Sequence, residues 1–369
     1  MPANAKGYWA LGIVVALLLV DIFFHFHDMY TLALWAMAAG ALAVATNWPA
    51  KTFALGLFAV GIYWSSLDQL GCSGYWRTGY IVAKVSGQLE EMSWDDVYRS
   101  SFSNAECPSK EDFSIPIEQI GEETVDHATL RQYRTPVGDF WVPGEGHGTL
   151  AWLLWEIYEN KVYQGRTVEI SKGDTVIDCG AHVGVLTRYA LDQGAARVVS
   201  IEPDPANILC LRRNFAKEIA AGTVLLVEKG VWNEVAEIQF EHDVHDSSRH
   251  TFHHQPDAEI QAISIPVEPL DRIVEELGIE KVDFIKMDIE GAEREALEGA
   301  QETIKRFRPE MAICTYHRHD DPPAVRSEVA RTGVPYAIHA RTLAVAHKQV
   351  QPKVLFFREG EPQRSARND

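Results

Sequence analysis

Residues 175–203 read TVIDCGAHVGVLTRYALDQGAARVVSIEP, a strand, a helix and a second strand in one short unit. TVIDCG (175–180) is an apolar run of the length of a buried strand, and RVVSIEP (197–203) repeats it. Between them AHVGVLTRYALDQG (181–194) reads as a helix closed by Gly194. The alternation continues downstream. A helix is expected from about Pro205 to Glu218, a strand in TVLLVEKGVW (223–232), and a strand and helix in ISIPVEPLDRIVEEL (263–277). VDFIKMDIEG (282–291) is another buried strand, EREALEGAQETIKRF (293–307) a helix and EMAICTYH (310–317) a further strand, with PYAIHA (335–340) and KVLFFRE (353–359) closing the sheet. Repeated strand–helix alternation predicts an α/β, Rossmann-like fold with a mainly parallel, doubly wound sheet.

Upstream, LRQYRTPVGDFWVP (130–143) reads as a hairpin with a Pro-Val-Gly-Asp turn, and LAWLLWEIYENKVY (150–163) has apolar residues at helical spacing. Residues 71–129 read as a linker, with one amphipathic helix near Gln88 to Tyr98, so the Rossmann-like domain is expected over 130–369.

Residues 1–70 have a different composition. They hold only five charged side chains, Lys6, Asp21, Asp28, Lys51 and Asp68, so nearly all of the net charge of −18 lies beyond them. That acidic remainder has no Lys/Arg cluster, which argues against nucleic acid as a partner, since non-specific binding needs basic patches to displace counterions. Three apolar stretches, Tyr8–Phe24, Tyr30–Thr46 and Phe53–Leu67, are expected to form two or three transmembrane helices. The second runs 17 residues without a charge, and aromatic side chains sit near the stretch ends as interfacial anchors do. With two spans Lys6 and Lys51 share the inner side, in keeping with the positive-inside rule; three spans put the N-terminus outside. The five cysteines, Cys72, Cys107, Cys179, Cys210 and Cys314, lack zinc-type pairing and read as free thiols.

Ligands of such sheets bind beyond the carboxyl ends of the strands. The loop after the first strand is Asp178-Cys179-Gly180-Ala181-His182-Val183-Gly184, where Gly180 permits a sharp turn and Gly184 a close helix. Glu202 ends the next strand, 18 residues past Gly184, where an acid can accept hydrogen bonds from both ribose hydroxyls. A nucleoside-containing ligand follows. A pyrophosphate favours G-x-G-x-x-G, with bare amides at a helix N-terminus. Here the middle glycine is absent and His182 protrudes, and Asp178 suits a ligand with an ammonium end, which favours S-adenosylmethionine over NAD.

The runs VIDCGAHVG (176–184), IEPDPANILCLRRNF (201–215) and DFIKMDIEGAEREALEGA (283–300) together resemble the FkbM family of methyltransferases. The resemblance extends over roughly Leu130 to Glu359 and does not reach the apolar N-terminus. It implies a class I methyltransferase fold and transfer of a methyl group from S-adenosylmethionine to a hydroxyl oxygen of a sugar, glycolipid or other amphiphile. By the same resemblance Asp178, Gly180, Ala181, His182, Gly184, Glu202, Asp204 and Asn207 bind the donor. Asn214 matches the helix that follows the ribose acid, and Asp288, Glu290 and Glu293 match the family signature. The chain departs from the family at His182, where many members carry Asn, and at Tyr316-His317, where an acidic residue is common.

An acceptor hydroxyl must lose its proton as it is methylated. Asp288, Glu290 and His317 are the expected catalytic residues, with His317 or Asp288 as base. A divalent metal is conceivable if Asp288, Glu290, His317 and His319 converge, but none is assigned, because Asp288 and Glu290 equally suit the cap of a helix starting near Ala292. A second histidine group, His242, His245, His250, His253 and His254, reads as a polar loop over the acceptor pocket. Because the donor is made in the cytosol, a multi-pass membrane protein with a cytoplasmic catalytic domain is expected. Its partners would be a small-molecule or lipid-linked glycan substrate and the lipid membrane, with homo-oligomer assembly left open. Two other readings compete: a membrane-bound NAD-dependent sugar oxidoreductase, and a non-catalytic membrane sensor that binds S-adenosylmethionine.

Overall fold

The computed structural model describes residues 83–97 apart from 86 and 88, then 115–125, 128–243, 260–346 and 349–360. They fall within one compact unit, Ala83–Asp369; a second unit, Met1–Val82, lies outside the described residues.

An antiparallel meander comes first: β1 (Glu118–Val125), β2 (Ala128–Thr135) and β3 (Gly138–Pro143). The hairpin read at 130–143 turns between Thr135 and Gly138, and it gains β1 from residues read as linker. Helix α1 (His147–Leu154) then widens into one broad turn over Trp155–Glu159, closed by Asn160 N–H on the Trp155 carbonyl at 2.8 Å. Next come β4 (Thr175–Cys179), α2 (Val185–Asp192), β5 (Arg197–Ile201), α3 (Pro205–Asn214), α4 (Ala216–Ala220) and β6 (Val224–Val227). A side sheet follows from β7 (Gly230–Val231), β8 (Ala236–Asp243) and β9 (Ile260–Glu268), ordered β7-β9-β8. The remainder is α5 (Leu270–Glu276), β10 (Phe284–Met287), α6 (Glu293–Glu298), α7 (Gln301–Phe307), β11 (Glu310–Cys314), α8 (Asp321–Arg331), β12 (Tyr336–Ala340), the β13–β14 hairpin (Leu343–Ala346, Gln349–Pro352) and β15 (Val354–Glu359).

Seven strands form the central sheet in the order β12-β15-β11-β10-β4-β5-β6. The five from β11 to β6 are parallel, and β15 runs antiparallel to both β11 and β12. This is the Rossmann-like α/β sheet expected from the alternation. Helices cover both faces, so the central strands are buried throughout: Val176, Ile177, Phe284 and Ile285 are all inaccessible. Each such side chain contributes roughly 1.5–3 kcal/mol over an exposed one.

Two elements differ from the sequence reading. ISIPVEP joins the side sheet, because β9 pairs antiparallel with β8 along its whole length instead of entering the parallel sheet. The helix expected over 293–307 breaks at Gly299, where the chain runs so close to the Trp232 carbonyl that a Cβ would collide with it.

The multi-pass membrane localisation is corrected. Among the described residues no helix is long and apolar enough to cross a membrane. The longest, α8, has 11 residues and so spans roughly 16 Å, about half a hydrocarbon core. The stretches Tyr8–Phe24, Tyr30–Thr46 and Phe53–Leu67, with Cys72 and Cys107, lie outside the described residues.

The topology fixes where a ligand goes. From β4 the chain winds outward to β5 and β6, then returns to β10 on the other side of β4. The crossovers diverge between β4 and β10, and a crevice opens at their carboxyl ends. There Cys179 and Met287 are in register, and Asp288 N–H bonds the Cys179 carbonyl at 3.2 Å.

Candidate functional site

The loop leaving β4 is shaped by its backbone. Gly180 has φ +77°, and a Cβ there would strike the Asp288 carbonyl oxygen, so the two loops at the switch point approach as only glycine allows. Gly184 has φ +89°, and a Cβ would meet the Phe215 ring. His182 also lies in the left-handed region, at φ +52°. Asn and His are among the side chains that tolerate this region, so the backbone there accommodates the histidine. The Gly180 and Ala181 amides both donate to the Ile201 carbonyl at 3.0 Å, which ties the loop to β5.

His182 offers its backbone to Glu202, whose Oε2 accepts from the His182 N–H at 2.8 Å. The other oxygen, Oε1, accepts from Asp204 N–H at 3.0 Å and Asn207 Nδ2 at 3.3 Å. Burial, aided by Asp204, pushes the Glu202 carboxyl up to about 7 against these donors. Glu202 and Asn207 line the crevice. Asp204, expected to bind the donor, instead caps α3, accepting from the Ala206 and Asn207 amides at 2.9 and 3.0 Å, and it is fully buried. Asn214 ties three elements together: its side chain bonds Trp141 N–H and carbonyl in β3 and the Val183 carbonyl in the glycine loop.

Asp178 was expected to meet the ammonium end of the donor, and the structure turns it elsewhere. It is fully buried beneath the loop, accepts from Thr187 Oγ1 at 2.9 Å, and pairs with Lys286 at 3.4 Å. Lys286, which sequence reasoning missed, is the cross-strand partner of Asp178 on β10. Its ammonium donates to the carbonyls of Cys179 at 3.1 Å and Gly180 at 2.7 Å. Burial acts to lower its pKa, but the charges of Asp178 and Asp288 outweigh that and raise it. The sequence signal was a lysine inside the apolar run VDFIKM, since lysine is almost never buried unpaired.

At the far end Asp288, Glu290, Glu293 and His317 come together. His317 Nδ1 lies 2.9 Å from Glu293 Oε1, and its Nε2 lies 3.3 Å from Asp288 Oδ1 and 3.7 Å from Glu290 Oε2. The Tyr163 hydroxyl donates to Asp288 Oδ2 at 2.5 Å across 125 residues of sequence. Burial works to raise the Asp288 carboxyl, but the His317 bond and the Lys286 charge hold it well below the usual carboxylate range. Glu290, with φ +57° and a partly exposed side chain, is pushed up to about 8 by burial, with Asp288 and Glu293 adding to the push and His317 opposing it. Burial disfavours the imidazolium of His317, yet Glu293, Glu290 and Asp288 raise its pKa well above the ordinary value.

Asp288 and Glu290 do not cap the next helix: α6 begins at Glu293, with Ala292 at its N-cap and no side-chain cap, and Glu293 reaches back to the Ile289 amide at 3.0 Å. His319 stays out of the cluster, with a side chain 71% exposed beside Asp320. One ligand atom from each of Asp288, Glu293 and His317 lies within 4.8 Å of the others, a set able to hold a metal ion. Of the second histidine group, His245, His250, His253 and His254 lie outside the described residues, as does the side chain of His242.

One cavity spans these features and holds about 930 Å³ of space, including its open mouth. It runs from Glu202 and Asn207, past Gly180, Ala181 and His182, to Lys286, Asp288 and Glu290, with Ile157, Ile201 and Val231 among its apolar walls.

Residues 178–335 match the family model described as the methyltransferase FkbM domain. A curated relative, the 31-O-demethyl-FK506 methyltransferase FkbM of Streptomyces tacrolimicus, is 26% identical over 186 residues, 42% of this chain and 70% of that protein. A crystal structure of methyltransferase FkbM from Methylobacillus flagellatus is 22% identical, with a TM-score of 0.39, and covers 58% of this chain and 56% of that one, little more than half its length. Aeropyrum pernix fibrillarin, in complex with natively bound S-adenosyl-L-methionine, is 9% identical, with a TM-score of 0.34, over 66% of this chain and 100% of its own. On the family match and the curated relative, residues 178–335 of this chain are similar to methyltransferase domains of the FkbM kind.

Proposed function

We propose that the chain transfers a methyl group from S-adenosylmethionine to a hydroxyl oxygen of a sugar, glycolipid or other amphiphilic acceptor. The observation that carries this reading is a single cavity lined by Glu202 and by Asp288 and Glu290, the two carboxyl groups that flank His317 Nε2. Glu202 is already anchored by three protein donors, which leaves about one lone-pair site, on Oε2, for a ribose hydroxyl. The glycine loop passes under the nucleoside, and the sulfonium methyl points toward Asp288 and Glu290. Transfer is an in-line displacement that neutralises charge, so positioning supplies much of the acceleration. The acceptor proton leaves into the carboxylate–imidazole cluster as the new oxygen–carbon bond forms.

The direct test incubates the full chain with methyl-labelled donor and extracted lipids and glycans. Base-stable label in a glycan or glycolipid fraction is expected. Label in protein or nucleic acid alone would reject the acceptor class.

Glu202 also sets a pH dependence. Its ionised form accepts the ribose hydrogen bond, and burial places its titration at about 7. Affinity for S-adenosylhomocysteine should therefore be level above that pH. Below it, affinity should weaken by up to about tenfold per pH unit as the carboxyl takes up a proton. Calorimetric titration from pH 5.5 to 8.5 measures this, and Glu202→Gln should bind weakly and evenly throughout. A wild-type profile flat across that interval would remove Glu202 from the ribose.

A further inference from the structure

We propose that Asp288, Glu293 and His317, with Glu290 at the rim, bind one divalent cation at the acceptor end of the cavity. The distances suit such a site. Ligand atoms bonded to one ion at about 2.1 Å lie roughly 3.0–3.5 Å apart. His317 Nε2 is 3.3 Å from Asp288 Oδ1 and 3.7 Å from Glu290 Oε2. Glu293 Oε1 holds Nδ1 of the same ring at 2.9 Å, and its second oxygen, Oε2, is the atom left to meet the ion.

Charge points the same way. Asp288, Glu290 and Glu293 place three carboxyl groups around one imidazole, while Lys286 is engaged by Asp178 and the loop carbonyls. Glu293 supplies an independent observation: its side chain is fully buried, and its Oε2 accepts no hydrogen bond. A buried carboxylate oxygen facing no donor is costly unless a cation meets it. One imidazole among carboxylates is a hard, mixed donor set that suits manganese or magnesium better than a thiolate-seeking metal. Because Asp288 and Glu290 line the cavity, the ion would present its open positions to the acceptor, where it would lower the pKa of a bound hydroxyl.

This assignment deepens the methyl-transfer reading, and its test needs no methyl donor. The full chain is titrated with manganese, and the free-ion electron paramagnetic resonance signal is followed. One site per chain is expected, displaced by excess magnesium. Asp288→Asn and His317→Gln, both near-isosteric, should each weaken it at least tenfold, with folding checked by circular dichroism. His319→Ala, outside the cluster, should leave it unchanged. A titration with no saturable site overturns the proposal. So does equal affinity in wild type and both cluster variants, which would place the ion on the acidic surface. Saturable binding without methyl transfer would leave the cation site standing and reject the enzymatic reading instead.

Discussion

Lys286→Met is expected to lower folding stability by about 3–5 kcal/mol, the usual cost of stripping the partner from a buried charge. Lys286 and Asp178 face each other across β10 and β4 with side chains 5% and 0% exposed, so no water replaces the lost ammonium. Asp178 would be left with the Thr187 hydroxyl as its donor. Its carboxyl is already raised by burial in the wild type, and removing Lys286, the strongest opposing influence, raises it further. The sign of the pH effect follows. A folded-state pKa above the unfolded value means the folded state holds the extra proton, so the variant loses stability as pH rises from about 4 and regains part of it in mild acid. Adding Asp178→Asn should recover most of the loss, because it removes the unpaired charge. The Cys179 and Gly180 carbonyls still lack their donor, so affinity for S-adenosylhomocysteine should stay about tenfold weak. Urea unfolding midpoints at pH 5 and 8 measure the first effect. A single variant within 1 kcal/mol of wild type would show that the pair is not the buried ion pair it looks to be.

That pair also marks the boundary of what the sequence could say. The central strands, the helices between them and the glycine loop are local patterns: TVIDCG and RVVSIEP fold as strands within a residue or two of their reading, while the strand read over VDFIKMDIEG stops at Met287. Glu202 was read at a strand's carboxyl end, and there it lines the cavity. Asp178 was not legible. Whether an acid at the end of a strand meets a ligand or a neighbouring strand depends on register with β10, more than 100 residues on. Asp204 was misplaced although its signal was present: Asp followed by Pro, Ala and Asn is a helix start, and the carboxylate is used on α3. His319 was grouped with His317 on nearness in sequence alone. Two residues apart on a strand share a face, but β11 ends at Cys314, so His317 and His319 sit on irregular backbone and diverge. Tyr163 left no local mark, since only tertiary folding brings the loop that follows the wide turn to Asp288. The apolar N-terminus was judged on length and lack of charge, a criterion that no helix among the described residues meets.

The second large effect belongs to Asp288→Asn. It should reduce methyl transfer by about 10²–10⁴-fold, the range for losing a positioned acid–base group. Donor affinity should stay within about threefold, because the ribose end at Glu202 is untouched. The carboxylate sits where three influences converge: the Tyr163 hydroxyl on one oxygen, His317 on the other, and the Lys286 charge behind it. Those partners hold it ionised across the working pH range, so in the wild type it is a fixed anion at the acceptor end, able to orient an incoming hydroxyl. Asparagine keeps the size and can still accept from Tyr163, but it presents an amide to His317 and no charge. Loss of turnover with donor binding intact would be the signature of a group that acts only as methyl transfer proceeds. Single-turnover transfer of labelled methyl, beside a calorimetric titration with S-adenosylhomocysteine, separates the two quantities. Equal losses in both would make Asp288 a wall of the donor site. Turnover within threefold of wild type would remove it from the chemistry and leave Glu290 as the carboxylate that faces the acceptor.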